Sequence, residues 1–149
     1  MKKVTIYTDG ACSYNPGPGG YCAILNYNGV EKIISNGCES TTNNVMELTA
    51  VVEGLKALKK KCCVEIYSDS AYVVNAINEK WLLSWEKKGW KTADNKEVKN
   101  LELWQELSLL LEKHDVTFIK VKGHSDNVNN NRCDEIARAE ISKITVKKV

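Results

Sequence analysis

The apolar pattern of this chain changes period near Asn43, and that change limits the folds open to it. Ahead of Asn43 the pattern alternates. "KKVTIYTDG" predicts a strand. "GYCAILNYNGVEKIISNGCES" predicts two more, joined at Asn28-Gly29, a dipeptide suited to the positive φ angles of a tight hairpin. From Asn43, Val45, Leu48, Val52 and Leu55 recur at threes and fours and predict an amphipathic helix over 43–60. "CCVEIYSD" is then a strand and "SAYVVNAINE" a helix capped by Asp69 or Ser70. A tryptophan- and lysine-rich piece follows. After it come the helix "LELWQELSLLLEKH", the strand "DVTFIKVKG", the polar loop "HSDNVNNN" and the helix "RCDEIARAEISKI", with a frayed tail.

Strands joined by short turns pair antiparallel, whereas strands separated by helices return parallel through right-handed crossovers. The expected fold is therefore α/β. It has a mixed five-stranded sheet, made of a three-strand antiparallel meander plus parallel strands, with helices on both faces. Ligands of such sheets gather near the carboxyl ends of the parallel strands.

One domain over residues 1–149 has room for a sizeable core. The net charge of +2 gives no overall basic field, so any patch that attracts nucleic acid must be local. Met1-Lys2-Lys3 opens like a signal peptide, but Asp9-Gly10 interrupts it before an apolar run forms. No stretch is long and apolar enough to span a membrane, so no membrane partner is expected. The six cysteines include no C-x-x-C pair and are read as the reduced thiols of a cytoplasmic protein.

The stretch "YTDGACSYNPGPGGYC" gathers four glycines and both prolines around Asp9. It lacks the Gly-Lys-Ser/Thr ending of a phosphate loop, and a strand rather than a helix follows it. It reads as a hairpin turn beside an acid. Three other acids stand out: Glu47 in the first turn of the first helix, Asp69 at the end of the fourth strand, and Asp134 early in the last helix. Each has an ordinary explanation. Asp9 could serve an Asp-Gly turn, Glu47 a capping box with Asn44, Asp69 a helix cap, and Asp134 an ion pair with Arg138. Yet Glu47 borders the core, and Asp9 and Asp69 lie on strands expected to be neighbours. Carboxylates brought together need a cation, and hard oxygen donors suit Mg²⁺ or Mn²⁺. Such a cluster on a strand platform is what two-metal phosphoryl chemistry requires. Periodicity leaves open whether the four meet.

Five segments in register, "YTDGACSYNPGPGGYCAIL", "TTNNVMELTAVVEGL", "YSDSAYV", "WLLSWEKKGWKTADNKEVKN" and "VKGHSDNVNNNRCDEIAR", resemble bacterial-type ribonuclease HI. The resemblance covers nearly the whole chain. It implies a ribonuclease H-like fold and an endonuclease that hydrolyses the RNA strand of RNA–DNA hybrids by two-metal-ion catalysis. The products would carry 5′-phosphate and 3′-hydroxyl ends. By position, Asp9, Glu47, Asp69 and Asp134 match the family's metal-binding catalytic carboxylates, with two Mg²⁺ ions per site and Mn²⁺ as a substitute. Asp9 would bridge both ions, Glu47 and Asp69 would hold one, and Asp134 would complete the other. His124 matches a mobile catalytic histidine that assists proton transfer or product release. His114 is read as a capping or dipole residue at a helix end.

The resemblance also implies how a hybrid would be held. Cys12, Asn15, Asn43 and Asn44 match hybrid-contacting positions, and Thr42 matches a residue that holds a DNA-strand phosphate. The segment at about 80–100 resembles the family's basic protrusion, or handle. Its six lysines against three acids leave +3 over 80–99. Lys87, Lys88 and Lys91 would meet phosphates, and Trp81, Trp85 and Trp90 would contact the hybrid or pack the handle onto the body. At least one of these tryptophans is expected to pack, and Trp104 is read as core. Two positions depart from the family pattern: Ala71 replaces a common glutamine, and Asn131 a common acid. The expected molecule is a monomer whose partner is the hybrid duplex, with no obligate protein partner. The competing readings are a related strand-transfer or resolvase-type nuclease and a non-catalytic nucleic-acid-binding module. The handle, the His124 loop and "TTNNVMEL" argue against the first, and the complete acidic set against the second.

Overall fold

The computed structural model describes residues 1–122 and 127–147. Strands β1 (Lys2–Cys12), β2 (Gly17–Tyr27) and β3 (Val30–Thr41) form the meander. Helix α1 (Asn43–Lys56), strand β4 (Cys62–Ser68) and helices α2 (Ala71–Asn78), α3 (Trp81–Lys87) and α4 (Leu101–Lys113) follow, and then strand β5 (Asp115–Lys120) and helix α5 (Val128–Lys147). The sheet order is β3-β2-β1-β4-β5. β1 pairs antiparallel with β2 and parallel with β4, and β4 pairs parallel with β5. The expected mixed sheet is present, with its parallel strands at the centre and one edge.

The β2–β3 hairpin closes at Asn28 and Gly29, with φ of 51° and 80°, and Tyr27 faces Val30 across a two-residue loop. That is the geometry the Asn-Gly pair favours.

Period two divides the sheet between two layers. Val4, Ile6, Ala23 and Leu25 join Leu48, Val51, Val52 and Leu55 of α1 in the larger core, which continues to Val73, Trp104 and Leu107. Their neighbours Cys22 and Ile24 point the other way, against Cys133 and Ala137 of α5. Helices therefore cover both faces. Two glycines permit the closest approaches. A Cβ on Gly20 would overlap the Ala137 carbonyl of α5, and one on Gly10 would overlap the Met46–Glu47 backbone of α1. Gly10 thus seats α1 directly on β1 near its amino end, at Met46 and Glu47; Glu47, expected in the first turn, lies just beyond it, because the helix begins at Asn43.

Several boundaries differ from expectation. β1 does not turn at Asp9-Gly10 but continues to Cys12, because Gly10, Ala11 and Cys12 still pair with Tyr21, Gly20 and Gly19. α1 stops at Lys56 rather than Lys60, since the chain must turn back into β4 at Cys62. α5 begins at Val128, where a loop was expected. The Asn127 side chain accepts a hydrogen bond from Asn130 N at 3.1 Å, the geometry of an asparagine cap. Nor does the helix fray at Thr145; it runs on to Lys147.

The six cysteines are free. His114 sits at the end of α4, but it does not serve the helix as a cation. Its ring is buried, and Nδ1 accepts a hydrogen bond from Cys62 N at 3.1 Å. Burial, aided by Lys113, lowers its pKa, so the neutral ring ties α4 to β4.

Candidate active site

The carboxyl ends of β1 and β4 open into a cleft of about 570 Å³. Asp9, Glu47, Asp69 and Asp134 all line it. Four acids separated by as many as 125 positions in sequence thus converge on one surface.

The ordinary explanations fail for three of them. Asp9 lies within a strand rather than in a turn, and its Oδ1 accepts a hydrogen bond from Gly10 N at 2.8 Å. Thr42, not Asn44, caps α1 by accepting from Val45 N at 3.2 Å, so Glu47 is not the capping-box partner. Ser70 caps α2 by accepting from Val73 N at 3.2 Å, which relieves Asp69 of that task. Asp134 does pair with Arg138, at 3.2 Å, on the wall of the same cleft.

Burial and mutual repulsion mark the site electrostatically. Burial, and after it the Asp69 carboxylate, push Asp9 up to about 8, with Asp134 and Glu47 adding to the rise and the Gly10 N–H opposing it. Glu47 is also raised, by burial and by Asp69, against a hydrogen bond with Ser70. Like charges gathered in a partly dry cleft favour either protonation or a cation.

Among the described residues, no three acids, histidines or cysteines form a ready-made metal cage. That is compatible with a hard divalent ion, which usually keeps several waters and takes one or two carboxylates plus substrate oxygens. The oxygen-only donor set fits such an ion.

A family model described as RNase H matches residues 1–142. The chain belongs to the RNase H family. It is 60% identical over 144 residues to the ribonuclease H of Caldicellulosiruptor saccharolyticus, covering 97% of this chain and 99% of that one. Among solved structures, LC9-RNase H1, described as a type 1 RNase H with the type 2 active-site motif, superposes with a TM-score of 0.86. It is 28% identical, and the match covers 96% of this chain and 74% of that one. LC11-RNase H1, solved in complex with an RNA/DNA hybrid, shares the fold at 24% identity and a TM-score of 0.73, with 95% and 99% covered.

The residues expected to contact a hybrid fall into two groups. Cys12 and Asn43 line the cleft itself. Asn15 Oδ1 accepts from Asn43 N at 3.1 Å, which joins the β1–β2 turn to the start of α1. Thr42 is the cap just described, and Asn44 is exposed beside it. In the handle, Lys87, Lys88 and Lys91 are exposed. Trp85 packs edge-on against the buried Trp104, with ring centroids 5.3 Å apart, and Trp90 is half-buried against the same core. Trp81 is 43% exposed and is the tryptophan most open to a ligand. His124 lies outside the described residues.

The sequence reading missed Asn130. The β1–β4 ladder ends at Tyr7↔Tyr67, two residues before both aspartates. There Asn130 Nδ2 donates to Thr8 O at 3.3 Å and to Tyr67 O at 3.0 Å. One buried amide thus bridges the two strands just before they deliver Asp9 and Asp69. Its only sequence signal was the run of asparagines, which read as a loop. Lys122 and Asn131 also line the cleft.

Proposed function

We propose that this chain is an endonuclease that hydrolyses the RNA strand of RNA–DNA hybrids with divalent cations, Mg²⁺ first and Mn²⁺ as a substitute. The observation that carries this reading is the convergence of Asp9, Glu47, Asp69 and Asp134 in one cleft of an RNase H-family chain. These four would hold the ions. When bound, such ions neutralise charge, lower the pKa of a water and stabilise the leaving oxygen, giving 5′-phosphate and 3′-hydroxyl ends.

The chain's own residues supply position. Gly10 lets α1 bring Glu47 down beside Asp9, and Asn130 fixes the strand ends that carry Asp9 and Asp69. Small side chains at Cys12 and Asn43 leave room for a sugar–phosphate backbone at the rim, where a 2′-hydroxyl can be read. Exposed Lys87, Lys88 and Lys91 suit phosphates of the DNA strand, and His124 is assigned to proton transfer or product release. The protein acts as a monomer. A strand-transfer enzyme or a non-catalytic module fits less well, given the family match and the complete acidic set.

The test uses labelled RNA–DNA hybrid, duplex DNA and single-stranded RNA, each with Mg²⁺ or EDTA. Cleavage of the hybrid's RNA strand alone, abolished by EDTA, is expected. Cleavage of duplex DNA at a comparable rate would overturn the assignment.

A further inference from the structure

Helix α5 carries Asp134 to the cleft, yet its packing does little to fix how it is rolled about its own axis. The buried stripe of the helix is made of small side chains. Cys133 and Ala137 rest on Cys22 and Ile24, with Ile136 at the margin, and the Ala137 carbonyl lies where a Cβ on Gly20 would be. Small side chains over a glycine make a smooth contact, without the interlocking ridges that select one helix orientation. Successive residues of a helix are about 100° apart, so Arg132 and Asp134 stand on opposite flanks of the Cys133 stripe. Asp134 faces the cleft, and Arg132 faces the hairpin end of β3.

There the guanidinium is held as a fork. Arg132 Nη1 donates to Glu31 Oε2 and Nη2 to Glu31 Oε1, each at 2.7 Å. Nη1 also donates to Asn129 Oδ1 at 3.0 Å, which ties the fork to the first turn of α5. Neither Arg132 nor Glu31 lines the cleft. A surface ion pair with one contact, such as Lys143 with Glu140, contributes little. A planar fork with two parallel bonds fixes direction as well as distance, and here the two side chains are only 39% and 31% exposed. The other tether to β3, Ser35 Oγ donating to Glu140 at 2.9 Å, lies about two turns along, in line with the Cys133 stripe. It resists tilt of the helix more than roll.

We propose that Arg132 and Glu31 are a positioning pair that sets the roll of α5, and with it the direction in which Asp134 presents its carboxylate. Arg132 acts through the helix and touches neither cation nor substrate. The inference rests on the reading of Asp134 as a cation-holding residue. Without the fork, α5 rolls about its smooth stripe and Asp134 turns away from Asp9. The rim at Cys12 and Asn43 and the lysines of the handle stay where they are, so hybrid binding is spared.

The test compares wild type with Arg132→Ala, Glu31→Ala and the double variant, each first shown to be folded. Residual dipolar couplings of the α5 amides, recorded without metal or substrate, report the roll of the helix directly. Single-turnover cleavage of hybrid over a range of Mg²⁺ concentrations reports its consequence. Both single variants should shift the phase of the α5 coupling wave, and the double variant no further. Cleavage should slow about tenfold in each single variant and equally in the double, with KM for hybrid within about twofold of wild type. More Mg²⁺ should be needed for half-maximal rate. Glu31 lies far from Asp134 in sequence and outside the cleft, so its loss can reach catalysis only through Arg132. An unmoved helix, single-variant effects that add in the double, or a wild-type rate in either single variant would overturn the proposal. A wild type that leaves hybrid uncut would instead refute the functional reading on which the pair depends.

Discussion

In metal-free protein, burial and three neighbouring carboxylates hold the Asp9 carboxyl far above its ordinary 3.8, at about 8. Between those values the native state keeps a proton that the unfolded chain has released, so stability falls as pH rises through that window. Asp9→Asn removes the conflict. In EDTA near pH 8 it should melt higher than the wild type, by roughly 1–3 kcal/mol, less than the full shift implies because the cleft is open to water. Millimolar Mg²⁺ should raise the melting temperature of the wild type and not that of Asp9→Asn. A wild-type melting point unchanged by both pH and Mg²⁺ would contradict this electrostatic picture. Asn130 acts one step back from the chemistry. Asn130→Ala leaves two buried carbonyls without their shared donor, a cost of about 1–3 kcal/mol. The expected kinetic signature is a lower kcat with KM for hybrid nearly unchanged, because the aspartates move while the rim does not. A purely structural role would leave kcat of the folded fraction intact.

At the scale of elements, the seating of α1 on β1 at Met46 and Glu47 depends on Gly10. Gly10→Ala would force α1 away from β1 and carry Glu47 with it, at a stability cost of about 1–3 kcal/mol. Activity should fall further than the fraction unfolded explains; a loss that tracks unfolding alone would show that Glu47 tolerates the shift. The handle is built differently. Trp85 against Trp104, Val98 in the core, and Ser108 Oγ donating to Glu86 at 2.5 Å hold its base, while its lysines project outward. Replacing Lys87, Lys88 and Lys91 by alanine should raise KM and flatten its salt dependence, with little change in kcat. An unchanged KM would remove the handle from substrate binding.

Over the whole molecule, the architecture was legible because period two and period 3.6 alternate cleanly, and because Asn28-Gly29 allows little but a hairpin. The antiparallel and parallel pairings followed from connection lengths. What was not legible depends on contacts distant in sequence. β1 runs past Asp9-Gly10 because β2 continues to pair with it, and α5 starts early because the Asn127 side chain caps it. His114 is buried by β4, which no pattern local to α4 records. The four acids were individually visible, but their convergence became visible only through family resemblance. Asn130 was invisible because its partners are main-chain carbonyls of two strands more than sixty positions away.

The most direct measurement is single-turnover cleavage of a labelled RNA–DNA hybrid in Mg²⁺ by wild type, Asp9→Asn and Asp69→Asn, each first shown to be folded. Losing several kcal/mol of cation-borne stabilisation should slow the RNA-strand cut by roughly 10³-fold or more in each variant. Cleavage by either variant at close to the wild-type rate would contradict the claim that these carboxylates form the catalytic site.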